Sequence, residues 1–167
     1  MGNMAAEFLC NGGGWQLTSL SSGMLSSFCT YMTAAQSIPS GVNTAILLDT
    51  KRYDRRIDCS TVTGFFTCRT TGIHQFSANC RLDMGAVALT GEAYLEIFNS
   101  TNGLSYKTGF SQGTSASPNL FYYADFSTNM SLTKGDVIQL RVRQNSGLAV
   151  AISNVESNTF FMGSTLQ

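Results

Sequence analysis

Two segments near the C-terminus alternate between mainly apolar and mainly polar side chains, and no other feature of the sequence constrains the fold as much. The first places one set of alternate side chains on a common face: Tyr122, Ala124, Phe126, Thr128, Met130 and Leu132. After a turn at 133–136, the second does the same with Ile138, Leu140 and Val142. A half-buried strand requires a side-chain period of two, because successive Cβ atoms point to opposite faces. The pattern predicts an antiparallel, all-β domain.

The charge composition excludes several classes of function. Charged residues make up 12% of the 167 residues, about half the usual share, and the formal net charge is zero. A nucleic-acid-binding surface needs a clustered excess of Lys and Arg, so we expect no nucleic-acid partner. We interpret the one basic cluster as a solvated loop because acidic residues are interleaved with it: Asp49, Arg52, Asp54, Arg55, Arg56 and Asp58. A surface with so few charges favours self-association.

The cysteines bear on the redox environment. There are five of them, Cys10, Cys29, Cys59, Cys68 and Cys80, and no two have C-x-x-C spacing. With a single His in the chain, this set does not match a zinc site, and we expect neither a metal nor a cofactor. We interpret the cysteines as reduced thiols of a protein made in a cytosol. One or two disulfides with a leftover thiol is the alternative.

The N-terminal region lacks the patterns typical of export and of membrane insertion. A secretory signal needs a basic start and a continuous apolar run, but Glu7 comes early and the glycines at 12–14 interrupt the sequence. No run approaches the roughly 18 apolar residues of a membrane span. We therefore expect no export leader and no membrane span.

The chain divides into two parts by composition. Residues 1–35 are rich in small residues with weak periodicity, and we interpret them as an N-terminal arm or anchoring segment. The alternative is that they form the first strand pair of the domain. Residues 36–167 contain about eight to ten predicted strands separated by turn signals, of which Asn102-Gly103 is a strong hairpin signal. This spacing predicts a sandwich or jelly roll.

Three segments of the second part resemble one known family. The segment 64–68 followed by 72–77 (GFFTC, then GIHQFS) is similar to a strand pair of that family, 132–140 (LTKGDVIQL) to its hairpin, and 158–163 (NTFFMG) to its closing strand. In this order they resemble the globular-head domain of complement component one-q, within the tumour necrosis factor-like superfamily. The resemblance covers roughly residues 36–167.

The resemblance implies a ten-strand antiparallel jelly-roll sandwich that assembles as a compact homotrimer around an apolar axis. Large apolar side chains on the outer face of a sheet need a partner. Four aromatic residues lie opposite the core positions of their strands, and we expect them at the trimer interface: Tyr94, Phe98, Phe121 and Tyr123.

The sequence departs from the family pattern at two points. His74 stands where the family usually has Tyr, and no collagen-like Gly-X-Y stalk precedes the head. Stalkless heads of this kind occur in bacterial and bacteriophage proteins, so we expect the arm to attach the head to a larger particle, with Trp15 as an anchor. The loops 51–58 and 112–119 are then expected at the far end, facing outward.

No catalytic motif is present, so we expect no enzyme activity. His74 lies on the apolar face of its predicted strand, and we interpret it as a core histidine. We do not expect the aspartates at 49, 54 and 58 to bind calcium, because arginines are interleaved with them. With no catalytic motif, the resemblance implies a non-enzymatic homotrimer, and we expect a capsid decoration or fibre head of a bacteriophage. It would be made in the host cytoplasm and located in the virion. Its partners would be itself, other virion proteins through the arm, and a cell-surface receptor or glycan.

The alternative function is an extracellular recognition module of the complement-head type that binds a protein or a glycan. An enzyme built on a β-sandwich is a further rival, and it would need a polar pocket in which catalytic groups converge.

Overall fold

The computed structural model describes residues 5–10, 15–21, 25–113 and 119–166, with side chains for 25–113 and 119–166. The described residues form only strands, turns and irregular segments, and every strand pairing among them is antiparallel. The predicted all-β class is confirmed. The strands are β1 (Ala5–Cys10), β2 (Trp15–Ser21), β3 (Ser27–Tyr31), β4 (Gln36–Ile38), β5 (Thr44–Ala45), β6 (Thr50–Asp54), β7 (Phe66–Thr67), β8 (Gly72–Gly85), β9 (Tyr94–Asn99), β10 (Ser105–Gly109), β11 (Ser111–Gln112), β12 (Leu120–Leu132), β13 (Val137–Arg143), β14 (Val150–Ile152) and β15 (Phe160–Thr165).

Two sheets form the jelly roll. The larger has eight strands in the order β11-β12-β8-β15-β3-β6, with β14 paired to β8 and β4 paired to β14. The smaller has five strands in the order β10-β9-β13-β5, with β7 also paired to β13. The count exceeds the predicted ten because several short strands of two or three residues flank the long ones. The strands β1 and β2 pair with each other as a separate two-stranded sheet.

The core fills the space between the two larger sheets. Its centre is a cluster of aromatic rings, in which Phe28 stacks on Phe66 at a centroid distance of 4.9 Å and Phe76 stacks on Phe161 at 5.4 Å. Gly163 of β15 makes this packing possible, because a Cβ at that position would lie 2.7 Å from the ring of Phe76. The alternation predicted for β8, β12 and β13 is confirmed, with one face of each strand directed into the core.

The head begins earlier than the sequence predicted. The strand β3 (Ser27–Tyr31) lies between β15 and β6 inside the eight-stranded sheet, and its Phe28 is fully buried in the core. The head therefore includes the residues from Ser27 onward, so the boundary placed between residues 35 and 36 lies at least nine residues too late. The interpretation of the preceding residues as an arm stays a prediction.

The segment 51–58 also differs from its predicted role as an outward loop far from the arm. Its first half is the edge strand β6, paired with β3. Its second half lies beside the start of β3, because the Arg55 amide donates to the Ser27 carbonyl at 3.0 Å and the Ser26 hydroxyl donates to Asp58 at 2.5 Å. The segment is therefore at the end where the arm enters the head. The second predicted loop, 112–119, falls largely on residues 114–118, outside the described part.

No helix among the described residues has the length and the apolar character needed to cross a membrane.

Candidate interaction surfaces

The outer face of the eight-stranded sheet carries two of the predicted interface residues. Phe121 and Tyr123 project from β12 on the side away from the core, and both are half-buried. The guanidinium of Arg81 lies 4.7 Å from the centre of the Phe121 ring, and its Nε donates to Asp83 at 2.6 Å. This hydrogen bond to Asp83 raises the pKa of Arg81 above its usual range. Arg81, held by Asp83, therefore packs on the Phe121 ring, while part of the surface of Phe121 and of Tyr123 remains exposed.

A cleft of about 510 Å³ opens on the same face, at the other side of the sheet. Its apolar floor is formed by Cys29, Phe160 and Met162, and Val155 stands at its edge with half of its surface exposed. The backbone register explains the floor, because Cys29 of β3 pairs directly with Met162 of β15. An Arg52–Glu156 ion pair, 2.7 Å between Nε and Oε1, lies at the rim. A smaller cleft of about 160 Å³ adjoins it, lined by Ser27, Tyr53, Gln75, Ser77, Met162, Gly163 and Ser164.

The cysteines of the described part are buried free thiols. Cys29, Cys59, Cys68 and Cys80 form no disulfide with one another. Burial raises the pKa of all four, because the charged thiolate is disfavoured away from water. They are therefore present as neutral thiols at physiological pH, and the cleft floor at Cys29 is apolar. The side chain of Cys10 lies outside the described residues.

The outer face of the five-stranded sheet is organised differently. Glu96 of β9 is only 2% exposed although it points away from the core. Its Oε2 accepts two hydrogen bonds from Arg141 of β13, at 2.9 and 2.7 Å, and Lys107 of β10 lies 3.7 Å from its Oε1. Register places these residues, since both Lys107 and Arg141 pair with Glu96 across the sheet. The carboxylate is closed off by cations of its own chain.

The other two predicted interface residues belong to this second network. The Tyr94 hydroxyl donates to Asn43 at 2.8 Å, and Lys107 Nζ lies 4.2 Å above the Tyr94 ring. Arg141 lies 3.4 Å from the centre of the Phe98 ring. Tyr94 keeps only 7% of its surface exposed. The structure thus places the four predicted aromatics on two different sheets, and it does not bring them together in one patch.

His74 and Cys68 form a close pair of potentially reactive groups. The His74 Nε2 lies 3.5 Å from the Cys68 sulfur and 2.9 Å from the Thr70 carbonyl oxygen. The Cys68 thiol also donates to the Thr70 carbonyl oxygen, at 3.1 Å. A carbonyl can only accept, so Nε2 carries the proton and cannot act as a base toward the thiol. His74 and Cys68 are each 1% exposed. The interpretation of His74 as a core histidine is confirmed.

The aspartates considered for calcium are used within the chain. Asp49 accepts from the Thr33 amide and hydroxyl, and Asp54 accepts from Lys51 and from the amides at 58 and 59. Burial alone would raise the pKa of each, but these hydrogen bonds outweigh it and lower both pKa values. In the part of the chain with described side chains, no three His, Cys, Asp or Glu residues converge as a metal site.

Trp15 begins β2, and its side chain lies outside the described residues, so its role as an anchor stays a prediction.

Sequence reasoning missed the large cleft. The apolar residues at 160 and 162 signal an outward face of the last strand, but the pairing with Cys29 across the sheet has no local sequence signal.

Comparison with known structures supports a single fold. The crystal structure of murine APRIL at pH 8.5 aligns with a TM-score of 0.57 and 14% identity, over 85% of this chain and 99% of that chain. The globular domain of the zebrafish complement 1qA protein aligns at 0.53 and 18%, over 85% and 98%. The Eiger TNF from S. frugiperda aligns at 0.52 and 12%, over 86% and 93%. No protein-family model matches the sequence, and no curated protein matches it.

At sequence identities of 12–18%, the structural likeness establishes the fold but not the function. The chain is a jelly roll of the type shared by tumour necrosis factor-like proteins and the complement globular head. The resemblance read from the three sequence segments is therefore confirmed for the fold.

Proposed function

We propose that the protein is a non-enzymatic homotrimer that associates through the outer face of its eight-stranded sheet. The observation that carries this proposal is that apolar side chains on this face are only partly covered. Phe121 and Tyr123 lie at one side of the face, and the cleft with Phe160 and Met162 in its floor lies at the other. A closed ring of identical subunits needs two different patches that fit each other, since each copy presents one to each neighbour. One sheet face supplies both.

The interface is centred on Phe121 and Tyr123 in this proposal. Phe98 and Tyr94 lie on the other sheet and are more fully covered by their own chain: Tyr94 is 7% exposed, and Arg141 lies 3.4 Å from the centre of the Phe98 ring, closer than the 4.7 Å between Arg81 and the Phe121 ring. Any contact that they make with a neighbour would first have to displace Arg141 or Lys107.

We further propose that the trimer is a structural or attachment component of a virus particle, a bacteriophage capsid decoration or fibre head, bound to other virion proteins through its N-terminal segment. The buried free thiols support an origin in a reducing cytosol, where disulfides are rare. A head of this kind would hold a receptor or a glycan through a broad surface and threefold avidity.

The alternative is an extracellular recognition module, and the structural likeness to murine APRIL and to a complement head favours it. Fractionation of the producing cells separates the two proposals. The virion protein is expected in purified particles, whereas a secreted head is expected as free protein in the medium.

Sedimentation equilibrium tests the assembly itself. The expected mass is three times the 18.0 kDa chain at micromolar concentration. A folded species of single-chain mass over the whole concentration range would refute the trimer. Immunogold labelling of purified particles then tests the virion role, which is wrong if the label stays with the soluble fraction.

A further inference from the structure

An aliphatic row crosses the outer face of the eight-stranded sheet at the end where the arm enters. The Leu166 amide donates to the Ile73 carbonyl at 2.8 Å, which continues the pairing of β15 with β8. The register of β15 with β3 likewise continues to Leu25 opposite Leu166. Leu25, Leu166 and Ile73 are 40%, 39% and 52% exposed. Three aliphatic side chains therefore stand open, side by side, on three adjacent strands.

The hairpin of β1 and β2 has a complementary sequence pattern. Three of its cross-strand pairs join apolar residues only: Ala6 with Leu20, Phe8 with Leu17 and Cys10 with Trp15. These pairs fall at alternate positions of β1, on either side of a register shift between Glu7 and Phe8, and the sequence pattern predicts that they share one face of the hairpin. The intervening pairs, Glu7 with Ser19 and Leu9 with Gln16, are more polar. A two-stranded hairpin is marginally stable in water unless such an apolar face is covered.

The connection between hairpin and row is short. Ser21 ends β2 and Leu25 belongs to the row, so four residue steps span at most about 14 Å. Each hairpin is therefore tethered close to the end of the head where the rows of neighbouring copies would also lie. Within one chain the row nevertheless stays open, as the exposures of its three members show.

We propose that the apolar face of each N-terminal hairpin docks on the aliphatic row of a neighbouring copy. Exchange of an identical element between identical chains is a low-cost route to assembly, and here each hairpin would stay tethered to its own head while it covers the row of the next copy. The exchange rests on the self-association proposed above, and it adds the segment that ties one subunit to the next.

A disulfide trap tests the exchange directly. In an Ile73→Cys variant of the full chain, the native Cys10 of a neighbour comes next to the new thiol, and diamide is expected to link two chains on a non-reducing gel. The four described cysteines are buried thiols with raised pKa values and are expected to stay silent. The link must disappear when Cys10→Ser is added. Val62→Cys, at a site 84% exposed, is the matched control and should give no link.

The possible outcomes separate the exchange from the trimer. Linked chains support the exchange, whereas a Cys10-dependent product of single-chain mass shows docking within one chain and overturns it. If the reduced variant sediments as a trimer and no Cys10-dependent link forms, the exchange is wrong while the trimer stands. A reduced wild-type protein that sediments as a monomer overturns both. Leu166→Cys repeats the test if Ile73→Cys fails to fold.

Trp15 provides a second readout because it is the only Trp in the chain. Docking predicts a blue-shifted emission that moves to the red, with stronger acrylamide quenching, in an Ile73→Lys variant. Val62→Lys should leave both unchanged. An emission that is the same in the Ile73→Lys variant as in the wild type would contradict the docking.

Discussion

The two outer faces of the sandwich carry similar residues but differ in how far the chain satisfies them. On the five-stranded sheet, Arg141 and Lys107 both pair with Glu96, and the rings of Tyr94 and Phe98 lie under these cations. On the eight-stranded sheet, apolar side chains line an open cleft and an aliphatic row. We call the first the complete face, because its charges and rings have partners within the described part of the same chain, and the second the open face, which the proposed assembly would cover with a neighbouring copy.

The difference shows that an outward aromatic residue is not by itself a mark of an interface. Arg141 and Lys107 reach the rings of β9 because they stand opposite Glu96, one on each neighbouring strand. Phe121 also has a cation over its ring, but Arg81 lies at 4.7 Å rather than 3.4 Å, and the same face carries the cleft and the exposed aliphatic row. We therefore expect substitutions on the complete face to change folding stability, and substitutions on the open face to change assembly.

The largest expected effect is loss of assembly in the double variant Phe121→Asp/Tyr123→Asp. Central aromatic residues of an interface contribute about 2 kcal/mol each, so the pair should weaken association by about a thousandfold. Sedimentation velocity at micromolar concentration should show single chains that remain folded by circular dichroism. Phe98→Asp is the matched control on the complete face and should stay trimeric. If it dissociates instead, the assignment of the two faces is reversed.

The second effect is on folding. Glu96→Ala leaves Arg141 without its carboxylate, and breaking a largely buried ion pair costs about 3–5 kcal/mol. Arg141 keeps 18% of its side chain exposed, so we expect a smaller loss of about 2–3 kcal/mol. Urea unfolding measures it, with Gln139→Ala on the same face as a control. A variant as stable as the wild type would show that the network is not a closed unit.

The sequence predicts the fold well where the alternation within a single strand shows which of its residues are buried. In β8 and β12 the period of two is unbroken, and the buried residues are those that the period selects. The strand β6 was missed because its sequence, TKRYD, reads as a loop, while its position at the sheet edge tolerates charge. The strand β3 was assigned to the arm, with a strand of the domain only as the alternative, because Ser27 and Thr30 flank Phe28 and give the segment no clear alternation.

The candidate surfaces were less predictable, and the reason is non-local. The period of two correctly placed Phe98 and Phe121 on outward faces. Whether such a ring is covered depends on the residue across the strand pair, and for Phe98 that cover comes from Arg141, more than forty residues away along the chain. The same holds for the cleft, whose floor joins Cys29 to Met162. These pairings follow from strand order, which no local pattern contains.

A third, smaller effect concerns acid. Burial opposes ionisation of Asp54, but hydrogen bonds from Lys51 and two backbone amides lower its pKa below 3.8. Because the folded pKa is the lower one, its contribution to stability is present above about pH 4 and is lost as pH falls through the folded pKa. In Asp54→Asn the stability deficit should therefore be larger at pH 6 than at pH 3, as urea unfolding at each pH can show. An equal deficit at both pH values would contradict the assignment.

The smallest effect comes from the edge of the complete face. Tyr94→Phe removes only the hydroxyl that donates to Asn43 at 2.8 Å, so the ring and its contact with Lys107 remain. A single neutral hydrogen bond of this kind contributes about 0.5–1.5 kcal/mol, and the trimer mass should not change. Tyr123→Phe, on the open face, is the matched comparison: it should alter association rather than unfolding of the subunit. If Tyr94→Phe shifts the association constant while leaving thermal unfolding untouched, the five-stranded sheet takes part in assembly, and the contrast between the two faces does not hold.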